Sequence, residues 1–472
     1  MYSKAVVLLF DGARYDVFKN LLRKGSLPNI ERHLTSNGSF LKGYSSLSTT
    51  TGPAHIPFVY GIYPGTANVP GIRWFEKGAA KKGVVTNSGL RSYVGPSSFS
   101  MSSDIEKSYM PIYGHFSKSA NVFSALDRGC SKIDSNRLQK SLCYMFAHYT
   151  GRWEIVDDVA ARSVKKYLSQ GYDFVFAVFP AIDEITHLYY PKYEKVLKQY
   201  RRLDDVVGEL FDEGYLDEAL VFIVSDHGLS KTHTHIPLVK IAKEVGHSPI
   251  YYPRILRRDY NLAIMESGNS MAFVYFLDPV GKRPALYDEF SAIEKNQRFI
   301  DRIISQEGID FVAYRVATNG CKFALCVENR FGKAKLEYGE GGEGGEVRLK
   351  IEGANPLEFC NEGAKICQRM SLDLTKDTNY ADSIVQLRQL FSSDRTGDIV
   401  VFAKEGFDLR KKHEWPEHKS SHGSLLRSHM EVPICTNAPL KSKVCRTVDV
   451  FPTILHLLDK KVPTNIDGTV IC

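Results

Sequence analysis

The sequence predicts an α/β fold: an α/β/α sandwich around a mostly parallel central sheet, with inserted cap segments. Three short, predominantly apolar runs, at 5–10, 172–179 and 220–224, support this prediction. Such runs are typical of strands that are buried on both faces of a parallel sheet. Helical spacing of apolar residues over 153–169 and 192–211 supplies helices next to these strands in the chain.

The length of 472 residues favours two or three domains, although an α/β enzyme with long insertions can use that length around one sheet. We expect one core in three parts, at 1–77, 151–235 and 395–472. The segment 78–150 is Ser-rich and irregular, so it is predicted to be an insertion that forms a lid. The segment 236–394 is predicted to be a second insertion, which forms a cap.

The charge balance gives little support to a polyanionic partner. Lys and Arg together number 61 and Asp and Glu 54, which leaves a net charge of +7. This surplus mildly favours anionic ligands but falls short of the dense basic patches of nucleic-acid-binding proteins. No nucleic-acid partner is therefore expected, and the partner predicted for the chain is a small molecule.

The apolar run near the N-terminus is too short for a signal-peptide core, and an aspartate follows it directly. No run approaches the ~20 apolar residues of a membrane span. The nine cysteines have no metal-finger spacing. They are expected to be reduced thiols in a cytoplasmic protein, with a Cys435–Cys445 or Cys360–Cys367 disulfide as the alternative.

Each of the three predicted strands ends in an acidic residue. Asp11 ends the first strand, Asp183 follows the second with His187 four residues later, and Asp226 with His227 follows the third. In open α/β sheets, ligands bind at the carboxyl edge of the strands. Carboxylate and imidazole groups gathered there are typical metal ligands. Each motif taken alone is equally compatible with a turn or a helix cap.

A hydroxyl-rich stretch at 45–55 follows a further predicted strand at 40–44. By chemistry alone, Thr49, Thr50 and Thr51 are all possible nucleophiles. A hydroxyl is weak at its ordinary pKa and needs a metal ion or a base to activate it. Without such a partner, this stretch would most simply be a turn or a helix cap.

The second predicted insertion contains a strand at 272–277 and a hairpin whose turn is the Gly/Glu segment 339–346. The apolar run 398–402 is predicted to resume the core, and a helix is predicted to begin near 446. Of the histidines between these two segments, His422 is the best candidate for a further metal ligand. The others are His413, His418 and His429.

The candidate ligands and the candidate nucleophile occur along the chain in the order Asp11, Thr51, Asp183, His187, Asp226, His227 and His422. This order resembles that of the alkaline phosphatase superfamily, and most of all its branch of type I phosphodiesterases and nucleotide pyrophosphatases. That branch carries its nucleophile in a T-x-P-x-H string, which Thr51, Pro53 and His55 match. The terminal string V-D-V-F-P-T, followed by D-G, resembles the same branch.

The resemblance implies an alkaline phosphatase-like fold with two metal ions. One ion would be held by Asp11, Asp226, His227 and the oxygen of Thr51. The mixed carboxylate and imidazole ligands suit Zn²⁺, with Mn²⁺ as the alternative. The resemblance further implies in-line attack by Thr51, a covalent phospho-threonine and its release by water. The implied ligands of the second ion are Asp183, His187 and His422.

The sequence departs from the family pattern at the substrate side. Nucleotide-cleaving relatives carry an aromatic residue directly after the nucleophile, where this chain has Gly52. The family Asn before the motif histidine is Ala54, and Arg73 stands in a segment where relatives provide an Asn to the phosphoryl group. Arg73 can replace that donor with a charged contact, or lie on the surface. Trp74 and Tyr189 are further candidates for substrate binding, and packing is the alternative for Tyr189.

The sequence therefore predicts a metal-dependent phosphoester hydrolase, in the first place a phosphodiesterase of the nucleotide pyrophosphatase type. The alternative within this class is a phosphomonoesterase that acts on a sugar, inositol or lipid head-group phosphate. A sulfatase is less expected, because that sister family uses an oxidised cysteine that Thr51 cannot replace. A phosphotransferase or a non-catalytic binding protein on the same fold is also less expected, since all seven ligand-type residues are present.

Overall fold

The computed structural model describes residues 2–79, 89–134, 137–252, 254, 256, 258–277, 283–318, 323–339, 345–359, 363, 365–367, 370–410 and 416–471. Its strands are β1 Lys4–Phe10, β2 Ser39–Tyr44, β3 Arg73–Phe75, β4 Leu90–Ser92, β5 Ser119–Val122, β6 Lys132–Asp134, β7 Phe174–Phe179, β8 Ala219–Val224, β9 Ser230–His235, β10 Pro249–Ile250, β11 Leu262–Ser267, β12 Met271–Phe276, β13 Ile309–Arg315, β14 Phe323–Asn329, β15 Gly332–Tyr338, β16 Glu346–Gly353, β17 Lys365–Cys367, β18 Ile399–Ala403, β19 Gly406–Asp408, β20 Ser420–Ser421, β21 Glu431–Thr436 and β22 Val444–Arg446.

The α-helices of these residues are α1 Tyr15–Arg23, α2 Pro28–Ile30, α3 Ile56–Tyr60, α4 Met101–Asp104, α5 Arg137–Thr150, α6 Glu154–Ser169, α7 Ala181–Leu188, α8 Glu194–Asp212, α9 Leu238–Glu244, α10 Tyr287–Ser291, α11 Glu294–Ile304, α12 Ser371–Thr375, α13 Ser383–Ser392, α14 Arg427–Met430 and α15 Val450–Leu457. The helices predicted at 153–169 and 192–211 are confirmed as α6 and α8. Both present an apolar stripe to the core and a charged face to solvent.

The first sheet has the strand order β22-β2-β21-β8-β1-β7-β5-β6. The central strand β1 pairs in parallel with both β7 and β8, and β5 continues the parallel pairing beyond β7. Only β21 runs antiparallel to its neighbours β2 and β8. Every residue of β7 and β8 is buried, so both faces of the sheet are covered. The predicted α/β fold with a mainly parallel central sheet is confirmed, as are the strands predicted at 5–10, 172–179 and 220–224.

A second sheet has the strand order β10-β11-β12-β18-β13-β14-β15-β16-β17 and is mainly antiparallel. The prediction that 398–402 resumes the core was wrong, because β18 pairs with β12 and β13 of this second sheet. An apolar run reveals a buried strand but not its partners. Asp398 joins this strand to its surroundings through Lys77 Nζ at 2.9 Å and the backbone N–H of Phe276 at 2.7 Å. The predicted boundary at 394/395 therefore cuts the second sheet, and the chain rejoins the first sheet at β21.

The segment 78–150 is not an insertion throughout. Its strands β5 and β6 pair in parallel and extend the first sheet at one edge. The short strands are individually too brief to give a sequence pattern with period two. The residues on either side of β5 and β6 remain outside both large sheets, and many of them border the cavity described below.

The terminal V-D-V-F-P-T and D-G strings close the chain against the segment that follows Thr51. Asp449 accepts hydrogen bonds from the N–H groups of Arg446 and Thr469, both at 2.9 Å. Asp467 accepts one from the N–H of Tyr63 at 2.7 Å. These contacts hold the chain end beside α3, so the terminal motif has a structural role.

Three minor predictions have mixed outcomes. Cys435 and Cys445 are both free thiols, so the alternative disulfide between them was wrong. Cys360, His413 and most of the predicted turn at 339–346 lie outside the described residues. No helix in the described part of the chain is both long and apolar enough to cross a membrane.

The buried carboxyl group of Asp310 on β13 gives a test of the fold. Burial raises its pKa from 3.8 to about 7, although a hydrogen bond from the Tyr380 hydroxyl at 2.8 Å opposes the shift. The folded protein thus binds this proton more tightly than the unfolded chain does. Its contribution to stability is complete below pH 3.8 and is lost as the pH rises to 7. The loss at pH 8 is about 4 kcal/mol, at about 1.4 kcal/mol per pH unit.

We therefore expect Asp310→Asn to be more stable than the parent protein at pH 8. The advantage should be smaller at pH 5 by about 2 to 3 kcal/mol, because the parent aspartate is then largely protonated in the folded state. Urea unfolding at the two pH values measures the difference. An advantage that is equal at both pH values would contradict the raised pKa.

Candidate metal centre and active site

Three aspartates meet at the carboxyl ends of the three central strands. Asp11 follows β1, Asp183 lies in the first turn of α7 directly after β7, and Asp226 follows β8. Since β7, β1 and β8 are adjacent and parallel, their ends lie side by side. All three carboxylates are at least 95% buried. The sheet therefore gathers residues that are more than 200 positions apart in the sequence.

Thr51 is the one of the three candidate threonines that lines the cavity between these groups. Its Oγ1 lies 3.2 Å from Asp11 Oδ1 and 3.1 Å from His227 Nε2. Thr49 and Thr50 are fully buried and are occupied elsewhere. The Thr49 hydroxyl donates to the carbonyl of residue 424 at 2.9 Å, and that of Thr50 lies 2.9 Å from Ser48 Oγ.

Two groups of potential ligand atoms lie beside Thr51. In the first group, ligand atoms of Asp11, Asp226 and His227 all lie within 4.8 Å of one another. The second group, by the same measure, contains Asp183, His227 and His422. His227 belongs to both groups and thus joins them into one cluster.

His187, which was predicted as a ligand beside Asp183, borders the second group. Its Nε2 lies 3.4 Å from Asp183 Oδ2, and its ring centroid lies 5.1 Å from that of His422. The spacing of four residues on α7 places both side chains on one face of the helix. The structure thus brings together all seven residues that the sequence nominated as ligands or nucleophile.

The histidines are oriented by backbone carbonyl groups. His187 Nδ1 lies 3.0 Å from the carbonyl oxygen of Ser420, and His422 Nδ1 lies 2.8 Å from that of Thr49. A carbonyl oxygen can only accept, so each Nδ1 carries a proton, and Nε2 is the ring nitrogen that is left to bind an ion. Metal-binding histidines are commonly oriented by such a hydrogen bond from the other ring nitrogen.

The three buried carboxylates of the cluster lie close enough to one another to shift their pKa values. Burial, and then the charges of Asp226 and Asp183, raise the pKa of Asp11 well above its usual range. Burial also acts to raise the pKa of Asp226, but His227 and His55 together outweigh it and hold that pKa at about 2. Burial acts to lower the pKa of His187, but Asp183 outweighs it and raises that pKa to about 9. The site therefore concentrates buried negative charge that cations would neutralise.

The donor set fits metal ions. Asp183 Oδ1 is buried and has no hydrogen-bond partner in the described structure. An orphaned carboxylate oxygen inside a protein is costly unless it meets a cation or a donor. The two ligand groups, the Nε2 atoms of the histidines and this oxygen together offer suitable ligands for a pair of divalent cations.

The turn between β11 and β12 of the second sheet reaches the cluster, and no pattern in the sequence indicates this contact. Gly268 in this turn has φ of +69°, and a Cβ there would lie 2.6 Å from Thr50 Cγ2 and 2.8 Å from His422 Nδ1. The N–H of His422 donates to the carbonyl of Gly268 at 3.1 Å. The next residue, Asn269, lines the cavity. Glycine is required here because the turn packs directly on a candidate ligand.

Sequence reasoning also missed the roles of three neighbours. His55 Nε2 lies 3.2 Å from Asp226 Oδ2 and supports that carboxylate. The His418 ring lies 4.3 Å from that of His187, and Glu184 lines the cavity beside Asp183. His55 was visible as part of the T-x-P-x-H string, and Glu184 as a neighbour of a candidate ligand.

Of the three predicted substrate-binding residues, one lines the cavity and two do not. Arg73 lines the cavity, and its buried Nε has no hydrogen-bond partner among the described residues. Trp74 does not line it: its side chain is fully buried and donates from Nε1 to the Tyr93 hydroxyl at 3.1 Å. Tyr189 is also absent from the lining, since it stacks on Tyr193 at 5.0 Å. Trp74 and Tyr189 therefore pack against other side chains of the protein and do not face the cavity.

The cavity has a volume of about 610 Å³, which suits a small molecule or a substituted phosphate ester. Thr51 and four predicted ligands line it, together with residues of the segment 93–153. Part of the segment 78–150 therefore borders the cavity, and its role as a lid stays a prediction.

Comparisons with known proteins agree with this architecture. The family model described as type I phosphodiesterase / nucleotide pyrophosphatase matches residues 5–425. A search of curated protein sequences gives no match. Residues 5–425 include every predicted ligand as well as Thr51.

Several solved structures share the fold. Murine ectonucleotide pyrophosphatase/phosphodiesterase 5 aligns with a TM-score of 0.58 at 13% identity, over 98% of this chain and 97% of that one. Phosphonoacetate hydrolase from Sinorhizobium meliloti 1021, in complex with phosphonoformate, aligns with a TM-score of 0.53 at 15% identity, over 95% and 94% of the two chains. The chain therefore belongs to the type I phosphodiesterase/nucleotide pyrophosphatase family, and it is a metal-dependent phosphoester hydrolase.

Proposed function

We propose that the protein hydrolyses phosphodiesters through a covalent intermediate on Thr51, at a site that holds two zinc ions. The observation that carries this proposal is the position of Thr51 Oγ1, 3.2 Å from Asp11 Oδ1 and 3.1 Å from His227 Nε2. This hydroxyl is the one nucleophile candidate of the stretch 45–55 that combines access to the cavity with contact to the ligand cluster.

Asp11, Asp226, His227 and the Thr51 oxygen would hold one ion, and Asp183, His187 and His422 the other. When bound, the two ions supply the Lewis-acid chemistry that stabilises charge on the attacking and the leaving oxygen. Mixed oxygen and nitrogen ligands favour zinc over manganese.

The side chains of the chain prepare the nucleophile. The Thr51 hydroxyl donates to Asp11 Oδ1, and both lone pairs of its oxygen remain available. The Asp226 carboxylate is fixed in turn by the N–H of His227 at 3.0 Å and the N–H of Gly12 at 3.2 Å. Backbone donors therefore pre-organise the Asp226 carboxylate beside the nucleophile, which lowers the cost of orienting it in the transition state.

The proposed reaction has two displacements at phosphorus. Thr51 Oγ1 loses its proton and forms a bond to phosphorus, while the opposite ester bond breaks and the departing oxygen gains a proton. Water then attacks the same phosphorus and breaks the Thr51 ester, which restores the hydroxyl. One water molecule is consumed for each ester bond that is cleaved.

Arg73 favours a second candidate, a phosphomonoesterase of a sugar, inositol or lipid head-group phosphate. Its guanidinium group lies at the cavity with its Nε unpartnered among the described residues, and it packs 5.2 Å from the Tyr252 ring. A guanidinium group binds a phosphate with two charge-assisted hydrogen bonds and favours the second negative charge of a monoester. Turnover of bis-p-nitrophenyl phosphate and p-nitrophenyl phosphate separates the two candidates, and a preference for the monoester would reverse our order.

We expect Arg73→Ala to lower kcat/KM for p-nitrophenyl phosphate at least about tenfold more than for the diester, because the dianion loses more from removal of a cation. Arg91→Ala on the paired strand β4 is the matched control, since Arg91 pairs with Asp104 at 3.5 Å outside the cavity lining. Equal losses for both substrates would remove Arg73 from phosphoryl recognition.

The compartment is a further proposal. Six described cysteines are free thiols, and Cys435 and Cys445 are buried among apolar side chains. Reduced buried cysteines are typical of proteins in a reducing compartment, which supports the cytoplasmic location predicted from the sequence.

A further inference from the structure

Met101 occupies the space beside the nucleophile that a side chain at position 52 would need. Gly52 has φ of +95°, and a Cβ built on it would lie 2.5 Å from Met101 Cε. Met101 is the first residue of α4, is 1% exposed and lines the same cavity as Thr51. Position 52 is therefore closed to larger residues both by its backbone conformation and by this methionine.

Three aromatic side chains line the same cavity as Met101. The rings of Phe123 and Tyr144 meet edge to face at 5.7 Å, and those of Tyr144 and Trp153 at 5.5 Å. All of them line the cavity. We call these four residues, Met101, Phe123, Tyr144 and Trp153, the Met101 wall.

The position of the Met101 wall decides which part of a diester it faces. In an in-line displacement, the leaving group departs opposite the attacking Thr51 oxygen. A surface formed next to Thr51 through residue 52 lies on the attacking side. It is therefore next to the substituent that stays on phosphorus during the first displacement.

We propose that the Met101 wall selects phosphodiesters whose retained ester group is flat and apolar, and that Met101 is the specificity-determining residue. The proposal rests on the proposed phosphodiesterase function and names its substrate class. A thioether is polarisable and packs well against aromatic rings, and the edge-to-face aromatic rings add a rigid apolar surface. A planar ring on the retained group gains these contacts, whereas a methyl group does not reach them.

The test compares two diesters that share p-nitrophenolate as the leaving group, phenyl p-nitrophenyl phosphate and methyl p-nitrophenyl phosphate. We expect Met101→Ala to lower the ratio of their kcat/KM values, phenyl over methyl, about tenfold. Met101→Leu conserves volume and should keep most of the ratio. Met110→Ala is the matched control, since this methionine is 53% exposed and lies outside the cavity lining. It should leave the ratio unchanged.

Because Met101 is buried, Met101→Ala must first show the circular dichroism and melting transition of the parent protein. A second variant, Tyr144→Leu, should lower the same ratio. An independent measurement needs no variant: phenylphosphonate should inhibit the parent enzyme about tenfold more strongly than methylphosphonate. Equal inhibition by the two phosphonates, or an unchanged ratio in folded Met101→Ala, would overturn the proposal. Neither result would affect the assignment of Thr51, which is tested by its own variants.

Discussion

Replacement of Thr51 by alanine is expected to lower the turnover of bis-p-nitrophenyl phosphate by at least about 10³-fold. The variant retains the ligand cluster but lacks the atom that forms the bond to phosphorus. Thr51 is partly exposed, and among the described residues its hydroxyl has hydrogen-bond contacts to Asp11 and His227, so the loss should leave the melting temperature nearly unchanged. Steady-state kinetics and thermal melting of the same preparation measure both effects.

Two controls define the result. Thr51→Ser keeps a hydroxyl at the position and should retain much more activity than Thr51→Ala. Thr50→Ala removes a neighbouring hydroxyl that contacts Ser48 instead of the cluster, so its effect on turnover should stay within about tenfold. A Thr51→Ala enzyme with full activity would exclude the covalent mechanism. After rapid acid quenching, peptide mass spectrometry should find a p-nitrophenyl phosphoryl group on Thr51 of the parent protein, and none in Thr51→Ala.

Removal of metal is expected to abolish activity, and zinc is expected to restore it. Binding to the folded state also stabilises it, by about 2.7 kcal/mol at a free zinc concentration 100 times the Kd. The expected increase in melting temperature gives a readout that is independent of catalysis. The physical reason is the repulsion among the buried carboxylates of Asp11, Asp183 and Asp226, which bound cations relieve.

Asp183→Asn should weaken zinc binding and lower activity by at least about 10²-fold, because it removes a charged ligand. The aspartate Asp310 provides the matched control, since it is buried on the second sheet away from the cluster. Asp310→Asn should bind as much zinc as the parent protein. Activity that survives chelation, with no zinc in elemental analysis, would contradict the metal proposal.

The gathering of the candidate ligands at one edge of the sheet was largely predictable from the sequence. Asp11, Asp183 and Asp226 each follow a continuous apolar run, and parallel strands with such runs must end at a common edge. His187 and His227 stand beside these carboxylates in the sequence. The proximity of these candidate residues was predictable because the apolar pattern that marks each strand is a local property of the chain.

Contacts between segments that are far apart in the sequence were not predictable. The strand β18 has the same apolar pattern as β1 or β8, yet it pairs with β12 and β13. The approach of Gly268 and Asn269 to His422 has the same origin, since a glycine in a hairpin turn does not reveal what lies beneath it. Trp74 next to Arg73 shows a further limit: adjacent residues on strand β3 point to opposite faces, so one lines the cavity and the other enters the core.

The departure at Gly52 was visible in the sequence, but its meaning required the structure. The absence of an aromatic residue after Thr51 suggested a lost stacking contact. The structure instead places Met101 in that space, and the aromatic rings of Phe123, Tyr144 and Trp153 line the same cavity. The apolar surface beside the nucleophile is therefore supplied by another segment of the chain.

Anomalous diffraction at the zinc edge, from crystals soaked with zinc, would show whether metal ions lie beside the Thr51 oxygen. We expect two peaks about 4 Å apart. One should lie among Asp11, Asp226, His227 and Thr51 Oγ1, and the other should be held by Asp183 together with two histidines, His187 and His422. Peaks elsewhere, or no zinc within bonding distance of the Thr51 oxygen, would contradict a metal-activated threonine nucleophile.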